Sequence, residues 1–524
     1  MPESTGPRWQ YLLLAVAAAV LTYSHTPVGA ALSMDSLFYL STAGNILDGH
    51  GIAFTTYALN GPAVQATTLW PPLYPLVLAG IVGVAEMLGI SSTSAVAFCN
   101  FVALLVSLVL ILRIASIEGW GWAALVVGIA CVIAPSLQLV HIYVWSEAFF
   151  LPMVLGAYLC LQRYLLPTEE GSRKSLYCLI ALFALATYTR YVGIAFFGAA
   201  ATALLIYERG NLLSRVRTAA LASLAYVILI VPILIRNVLV SDDLAGGDRG
   251  IPGTELLTDL GQLAWYIYLE FINLPNSAGA ALLVISAAAV GWMFMRSEAK
   301  AAPPSSVARE SMRWVVPLLF VASYSILILL SRMVQVTDLD SRMLSVAVPF
   351  LLLAVHGIYL TLASRTGNSS AALPFVLLLC VFFVNAVNTH RSILTGWKEQ
   401  GEPGAVLGLV YPSMTGTRLD TLRSIGEHFS PGDGDLVLTD LRQPVIAGYL
   451  FPQADVRKVP GEPDEENLAA VIAVMQRNGL AIIGQPDWGQ ALSRQLEDKA
   501  DFYRIESAAG KLEYIVIALP VRSQ

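Results

Sequence analysis

Apolar residues fill the first three quarters of the chain in long blocks, near 11–31, 73–90, 95–114, 121–143, 148–166, 176–189, 191–207, 217–239, 277–295, 314–331, 343–363 and 372–389. An α-helix needs about 20 such residues to cross the hydrocarbon core of a bilayer. The pattern therefore predicts a helical polytopic membrane protein. From 392 onward charged residues rise and the apolar runs shorten. Runs at 435–439, 480–484 and 512–517 predict buried strands, and 466–478 and 489–500 predict helices. The expected division is a transmembrane module over 1–391 and a small α/β domain over 392–524.

One block changes the topology. If 73–90 crossed the membrane, the basic loops around Arg163/Arg173/Lys174, Arg209/Arg215/Arg217, Arg296/Lys300/Arg309/Arg313 and Arg365 would all lie outside, against the positive-inside rule. If it lies in the interface, with Pro71, Pro72 and Pro75 starting a helix and Glu86 interrupting its apolar face, those loops become cytoplasmic. The expectation is eleven spans with the N-terminus inside and the C-terminus outside. Val28-Gly29-Ala30 resembles the end of a signal peptide, but the first segment is expected to stay as an anchor. The outer side then holds loop 32–94, the turns at 141–147 and 189–191, the loops 240–276 and 333–342, and everything after about 391.

Composition agrees with this class. The 524 residues are 56% hydrophobic and 13% charged, with a mean hydropathy of +0.66. The net charge of −6 comes with no basic stripe, which argues against nucleic acid. All five cysteines (Cys99, Cys131, Cys160, Cys178, Cys380) fall in apolar segments and read as small buried hydrophobes. The six histidines form no paired metal-binding motif, and the C-terminal region has no glycine-rich phosphate loop. No internal repeat is visible, and the Pro/Ser stretch 301–306 reads as a cytoplasmic linker.

Candidate chemistry gathers on the outer side. As a helix, 35–47 places Asp35, Tyr39 and Thr42 on one face and Leu37, Leu40, Gly44 and Leu47 on the other. Asp35 also suits a helix N-cap. Glu147, in Tyr143-Val144-Trp145-Ser146-Glu147, would sit at the N-terminus of the next span, where the macrodipole favours an acid. Arg190 lies between two apolar blocks joined by almost no loop, at a depth where an ionisable group is a functional candidate by default. Thr337-Asp338-Leu339-Asp340-Ser341-Arg342 precedes a span containing Pro349, and Arg342 would either hold an anion or snorkel. Trp70, Tyr74, Tyr143 and Trp145 would line a ligand site or serve as interfacial aromatics. Two acids and two arginines at one headgroup layer suit a phosphate-linked donor.

These residues resemble the GT-C superfamily of integral-membrane glycosyltransferases, especially the protein O-mannosyltransferase and aminoarabinose transferase branch. The resemblance spans roughly 10–390 and rests on Asp35 after the first span, Asp48-Gly49-His50-Gly51, Pro71-Pro72-Leu73-Tyr74, Ser146-Glu147, Thr189-Arg190, and Asp338 to Arg342 with Pro349. It implies a GT-C fold with about eleven transmembrane helices and two juxtamembrane helices in loop 32–94. It also implies a bacterial inner-membrane location and inverting transfer of a sugar from a polyprenyl-phosphate donor to a glycan, lipid or protein acceptor outside the cytoplasm. Asp35 would be the general base and Glu147 would orient the acceptor. Arg190 and Arg342 would bind the donor phosphate, and Tyr39, Trp70, Tyr74, Tyr143, Trp145, Asp338 and Asp340 would line the substrate site. Asp35 and Glu147 could together hold a divalent cation. A transporter or lipid flippase of the same topology is the alternative, though it would set its polar residues near mid-membrane on repeated, broken helices.

Overall fold

The computed structural model describes residues 9–26, 29–117, 121–166, 173–244, 246, 255–272, 304–334, 341–366, 372–400, 436–439, 454–460, 463–475, 480–483, 486–496, 500–506 and 512–518. Helix α1 (Trp9–His25) is followed by the outer loop, which folds as α2 (Met34–Leu47), a hairpin of β1 (Ala53–Ala58) and β2 (Gly61–Ala66), and α3 (Leu73–Leu88). Then come α4 (Ser92–Ile117), α5 (Gly121–Ile133), α6 (Pro135–Ile142), α7 (Glu147–Leu165), α8 (Arg173–Thr189), α9 (Gly193–Tyr207) and α10 (Leu212–Ser241). After them lie α11 (Leu256–Phe271), α12 (Pro304–Val334), α13 (Ser341–Leu344), α14 (Val348–Thr366) and α15 (Ala372–Gln400).

Among the described residues five helices are long and apolar enough to cross a bilayer: Ser92–Ile117, Glu147–Leu165, Leu212–Ser241, Glu310–Arg332 and Phe375–Thr395. A sixth span arises if Ala124–Ile133 and Pro135–Ile142 count as one, bent by 55°. The protein is thus an integral membrane protein. Four further apolar helices are shorter, Tyr11–His25, Leu73–Leu88, Gly193–Tyr207 and Val348–Ala363. The expected span at 277–295 lies outside the described residues.

Three features of the helices depart from the sequence reading. The span expected over 121–143 is broken, because Pro135 offers no amide and clashes with the preceding turn. The carbonyls freed there take side-chain donors instead: Gln138 Nε2 lies 2.5 Å from the Val132 oxygen and His390 Nε2 lies 3.0 Å from that of Ile133. Helix α11 forms inside the expected loop 240–276, anchored by a buried ion pair from Arg332 to Asp259 at 2.9 Å. Helix α15 continues to Gln400, beyond the expected boundary at 391/392.

The bundle core is aromatic. Phe320 and Phe350 stack 5.0 Å apart, Tyr158 meets both edge-on, and Phe183 and Phe196 close the cluster. Each of these rings is almost fully buried, so the cluster joins α7, α8, α9, α12 and α14 into one body.

In the C-terminal region β3 (Leu436–Thr439), β4 (Asp455–Lys458), β5 (Leu480–Ile483), β6 (Asp501–Glu506) and β7 (Leu512–Ala518) form one sheet in the order β4-β3-β5-β7-β6. Strand β3 runs parallel to β4 and β5, whereas β7 is antiparallel to β5 and β6. Helices α16 (Glu465–Met475) and α17 (Pro486–Leu496) bring Val471, Met475, Trp488 and Leu492 into its core.

Candidate active site

Two stretches of irregular chain set the site. Ala31 and Tyr143 form a parallel bridge, in which the Ala31 amide donates to the Ile142 carbonyl at 2.9 Å and the Val144 amide donates to Ala31 at 3.1 Å. Asn100 on α4 clamps the second stretch by donating to the carbonyls of His141 and Tyr143 at 3.2 and 2.8 Å. Trp145 Nε1 donates to Ser33 Oγ at 2.7 Å. The start of α2 is thereby tied to the start of α7, and the carboxylates of Asp35 and Glu147 emerge side by side.

Ser33, not Asp35, caps α2. Its hydroxyl accepts from the Ser36 amide at 3.3 Å, and its own amide donates to Ser36 Oγ at 2.9 Å. Asp35 is left in the first turn, where the macrodipole favours its charge while its oxygens remain available. The Asp35/Tyr39/Thr42 face turns inward: Tyr39 and Thr42 are buried. Burial pushes the Tyr39 hydroxyl well above its ordinary range, so it stays protonated, and it lies 3.2 Å from Ser146 Oγ.

Arg342 is the hub. Its Nε and Nη2 bind the two oxygens of Glu147, the latter at 3.2 Å, and its Nη1 lies 2.5 Å from Asp35 Oδ2. Trp145 covers the guanidinium face at 4.3 Å. Arg190 Nη1 reaches Glu147 Oε1 at 2.6 Å and Ser146 Oγ at 3.0 Å. Side-chain exposure falls from 36% at Asp35 to 17% at Arg190, 4% at Arg342 and 1% at Glu147. Glu147 is thus a buried counter-ion for two cations, and Asp35 is the carboxylate open to a ligand.

Local sequence explains how the arginines arrive. The α8–α9 turn is so tight that a Cβ on Gly193 would lie 2.7 Å from the Thr187 amide nitrogen and 2.8 Å from its Cα. Only glycine lets the chain reverse there and project Arg190 at Glu147. The single turn of α13 is pinned by Tyr324, whose hydroxyl donates to the Met343 carbonyl at 2.6 Å.

Tyr39, Tyr74, Tyr143 and Trp145 are buried and form the wall beneath this quartet, while Trp70 is half-buried. Tyr143 stacks on Trp145 at 4.4 Å, and Tyr39 meets Tyr74 edge-on at 4.8 Å. Asp338 and Asp340 lie outside the described residues. The suggested cation between Asp35 and Glu147 does not fit the arrangement, because the Arg342 guanidinium fills the space between those carboxylates. Among the described residues no group of three or more His, Cys, Asp or Glu side chains is placed to hold a metal ion.

Arg236 is a further polar residue that the sequence reading does not single out. Arg236 lies within the apolar run of α10, where its Nη2 donates to the Thr67 carbonyl at 2.5 Å and its Nη1 is buried without a hydrogen-bond partner. Among the described residues it forms no ion pair. Tyr191, next to Arg190, donates to the adjacent Thr68 carbonyl at 2.9 Å. A charged residue inside apolar run 217–239 was the available signal.

A helical membrane bundle with α2 and α3 beside an acid–arginine quartet is a fold shared with solved structures of integral-membrane glycosyltransferases of GT-C type. No family model matches the chain, and no curated protein matches it in sequence. The fold is similar to that of ArnT from Cupriavidus metallidurans bound to undecaprenyl phosphate, with a TM-score of 0.57 and 13% identity over 98% of both chains. It is also similar to the arabinofuranosyltransferase AftD from Mycobacteria, with a TM-score of 0.52 and 13% identity over 99% of this chain and 42% of that one. For the Archaeoglobus fulgidus oligosaccharyltransferase in complex with Zn and sulfate the TM-score is 0.50 and the identity 10%, over 97% and 74%.

Proposed function

We propose that the protein transfers a sugar from a polyprenyl-phosphate donor to an acceptor on the extracytoplasmic face, with inversion at the anomeric carbon. The observation that carries this reading is Asp35: a partly open carboxylate held by Arg342, beside a Glu147 that binds both Arg342 and Arg190, in a membrane bundle of GT-C fold. Asp35 removes the proton from an acceptor hydroxyl as that oxygen attacks the anomeric carbon. The bond from that carbon to the phosphate oxygen breaks, and its electron pair leaves with the polyprenyl phosphate. A single displacement inverts the centre.

The quartet of Asp35, Glu147, Arg190 and Arg342 is neutral in formal charge, so it offers a phosphate little net attraction. Arg236 supplies the missing cation. Arg190 and Arg236 bind the donor phosphate, with Arg342 behind them fixing both carboxylates; Arg236 holds the phosphate equally before and during departure, and Arg190, at the quartet, is the preset donor that stabilises charge on the departing group. Glu147 holds the arginines in place. Exposed apolar side chains on α10, including Ile235, Val238 and Leu239, offer a path for the prenyl chain beside Arg236. The C-terminal sheet lies outside the cytoplasm in this orientation, in a bacterial inner membrane.

The test is transfer in proteoliposomes supplied with polyprenyl-phosphate sugars and an acceptor pool from envelope extracts. Loss of a labelled donor sugar to product, abolished by Asp35→Asn, supports the reading. Absence of transfer with every donor tried, together with equal lipid and glycan profiles in cells with and without the gene, overturns it.

A further inference from the structure

The hairpin of β1 and β2 touches both the C-terminal sheet and the helix that carries Asp35. At its tip Leu59 packs into the core formed by Leu436, Leu438, Val459 and Trp488. Arg457 on β4 donates from Nη1 to the Leu59 carbonyl at 3.2 Å, and Asp455 orients that guanidinium through Nε at 2.9 Å.

At its base the same hairpin grips α2. Asn45 Nδ2 donates to the Ala53 carbonyl at 3.2 Å and to Thr55 Oγ1 at 3.1 Å, while the Thr55 amide donates to Ser41 Oγ at 3.2 Å. Phe54 meets Phe38 edge-on at 5.5 Å. Phe38, Ser41 and Asn45 follow Asp35 at helical spacing, so these contacts fix the rotation of the helix that aims it. The junction between helix and hairpin is itself braced: Gly49 adopts a φ of +82°, and the His50 amide donates to the Asn45 carbonyl at 2.8 Å.

We propose that Leu59, Arg457 and Asn45 are positioning residues for Asp35, through which the C-terminal sheet sets the attitude of α2. The role follows from reach: none of the three touches the quartet, yet each belongs to one unbroken chain of contacts ending at the Asp35 helix. Chemistry tolerates little error at that end, since a misplacement of about 1 Å can cost about a hundredfold in rate. The kinetic part of the proposal rests on the transferase reading above, and the structural part does not.

The experiment uses the full chain in lipid nanodiscs, with variants Arg457→Gln, Leu59→Ser and Asn45→Ala. Hydrogen exchange over 34–47 should rise about tenfold in each, as expected when a local opening becomes easier. With a polyprenyl-phosphate sugar as probe, kcat should fall about tenfold while the donor KM stays within about twofold, and Arg457→Lys should recover part of the loss. The pair Arg457→Gln with Asn45→Ala should exchange no faster than the worse single variant, because both cut one path. Unchanged exchange over 34–47 in all variants, or additive effects in the pair, overturns the proposal. Arg457→Gln removes a half-exposed contact and keeps the test decisive should Leu59→Ser fail to fold. If the wild type transfers no sugar, the exchange data still decide the coupling, and the transferase reading fails separately.

Discussion

Arg342 holds Asp35 at 2.5 Å, and the acid at the other end of that contact is the more exposed of the two side chains. A buried cation fixes the position of a reachable carboxylate, which is the arrangement a base needs to meet an incoming hydroxyl. Asp35→Asn should keep the shape of the site and lower transfer by about a thousandfold, within the usual range for general-base removal. Initial rates from a labelled polyprenyl-phosphate donor, read beside unchanged elution and melting, check this.

Glu147 carries a different burden. It is 1% exposed and bound by two guanidiniums, so Glu147→Gln leaves Arg190 and Arg342 with an unmatched buried charge. Breaking a buried pair this way costs about 3–5 kcal/mol. A melting midpoint in detergent well below the wild type, and below that of Asp35→Asn, is the expected result.

Arg236 should act on donor binding alone. A lost hydrogen bond to a charged group is worth about 1.5–3 kcal/mol, so Arg236→Gln should raise the donor KM by about tenfold or more with kcat little changed. Transfer rates measured over a range of donor concentrations separate the two parameters. A fall in kcat at constant KM would assign Arg236 elsewhere.

Gly193→Ala probes the turn that delivers Arg190. A methyl group there meets the Thr187 backbone, which cannot yield as a side-chain tip could. The expected cost is about 1–3 kcal/mol with loss of transfer, and Gly198→Ala, which meets nothing within 4 Å, serves as the control.

Glu270 supplies a pH signature away from the quartet. Burial pushes its carboxyl up to about 7, against the Ser136 hydroxyl and amide that lower it. The folded state therefore holds a proton that the unfolded chain releases near 4.5, so this contribution to stability is complete below 4.5 and fades as pH rises through 7. Melting midpoints should drop between about pH 4.5 and 7 and level off above, and Glu270→Gln should flatten that decline.

The sequence made the quartet legible for a simple reason. Asp35, Glu147, Arg190 and Arg342 each stand at the edge of an apolar block, and a charge at such a boundary is conspicuous. Their assembly was less visible, since it depends on Ser33, Asn100 and Trp145 binding segments more than 40 residues apart. The hairpin was missed although Phe54-Thr55-Thr56-Tyr57 and Asn60-Gly61 spell a strand and a tight turn. The break at Pro135 is also legible in the proline, but a long apolar block favours a continuous span, and only packing shows the freed carbonyls being satisfied by Gln138 and by His390 of α15. Arg332 with Asp259, and Glu270 with Ser136, join segments 73 and 134 residues apart, beyond the reach of any local pattern.

The break between α5 and α6 also constrains biogenesis. The Ile133 carbonyl opened by Pro135 finds its partner on His390, 257 residues downstream. An unsatisfied carbonyl in hydrocarbon is expensive, so the bent pair has no settled state until the last helix of the bundle has been inserted. The segment leading into Glu147 follows directly from that bend, and completion of the site is therefore timed by the end of membrane insertion: a nascent chain lacking α15 would carry all four charged residues and still hold them out of register.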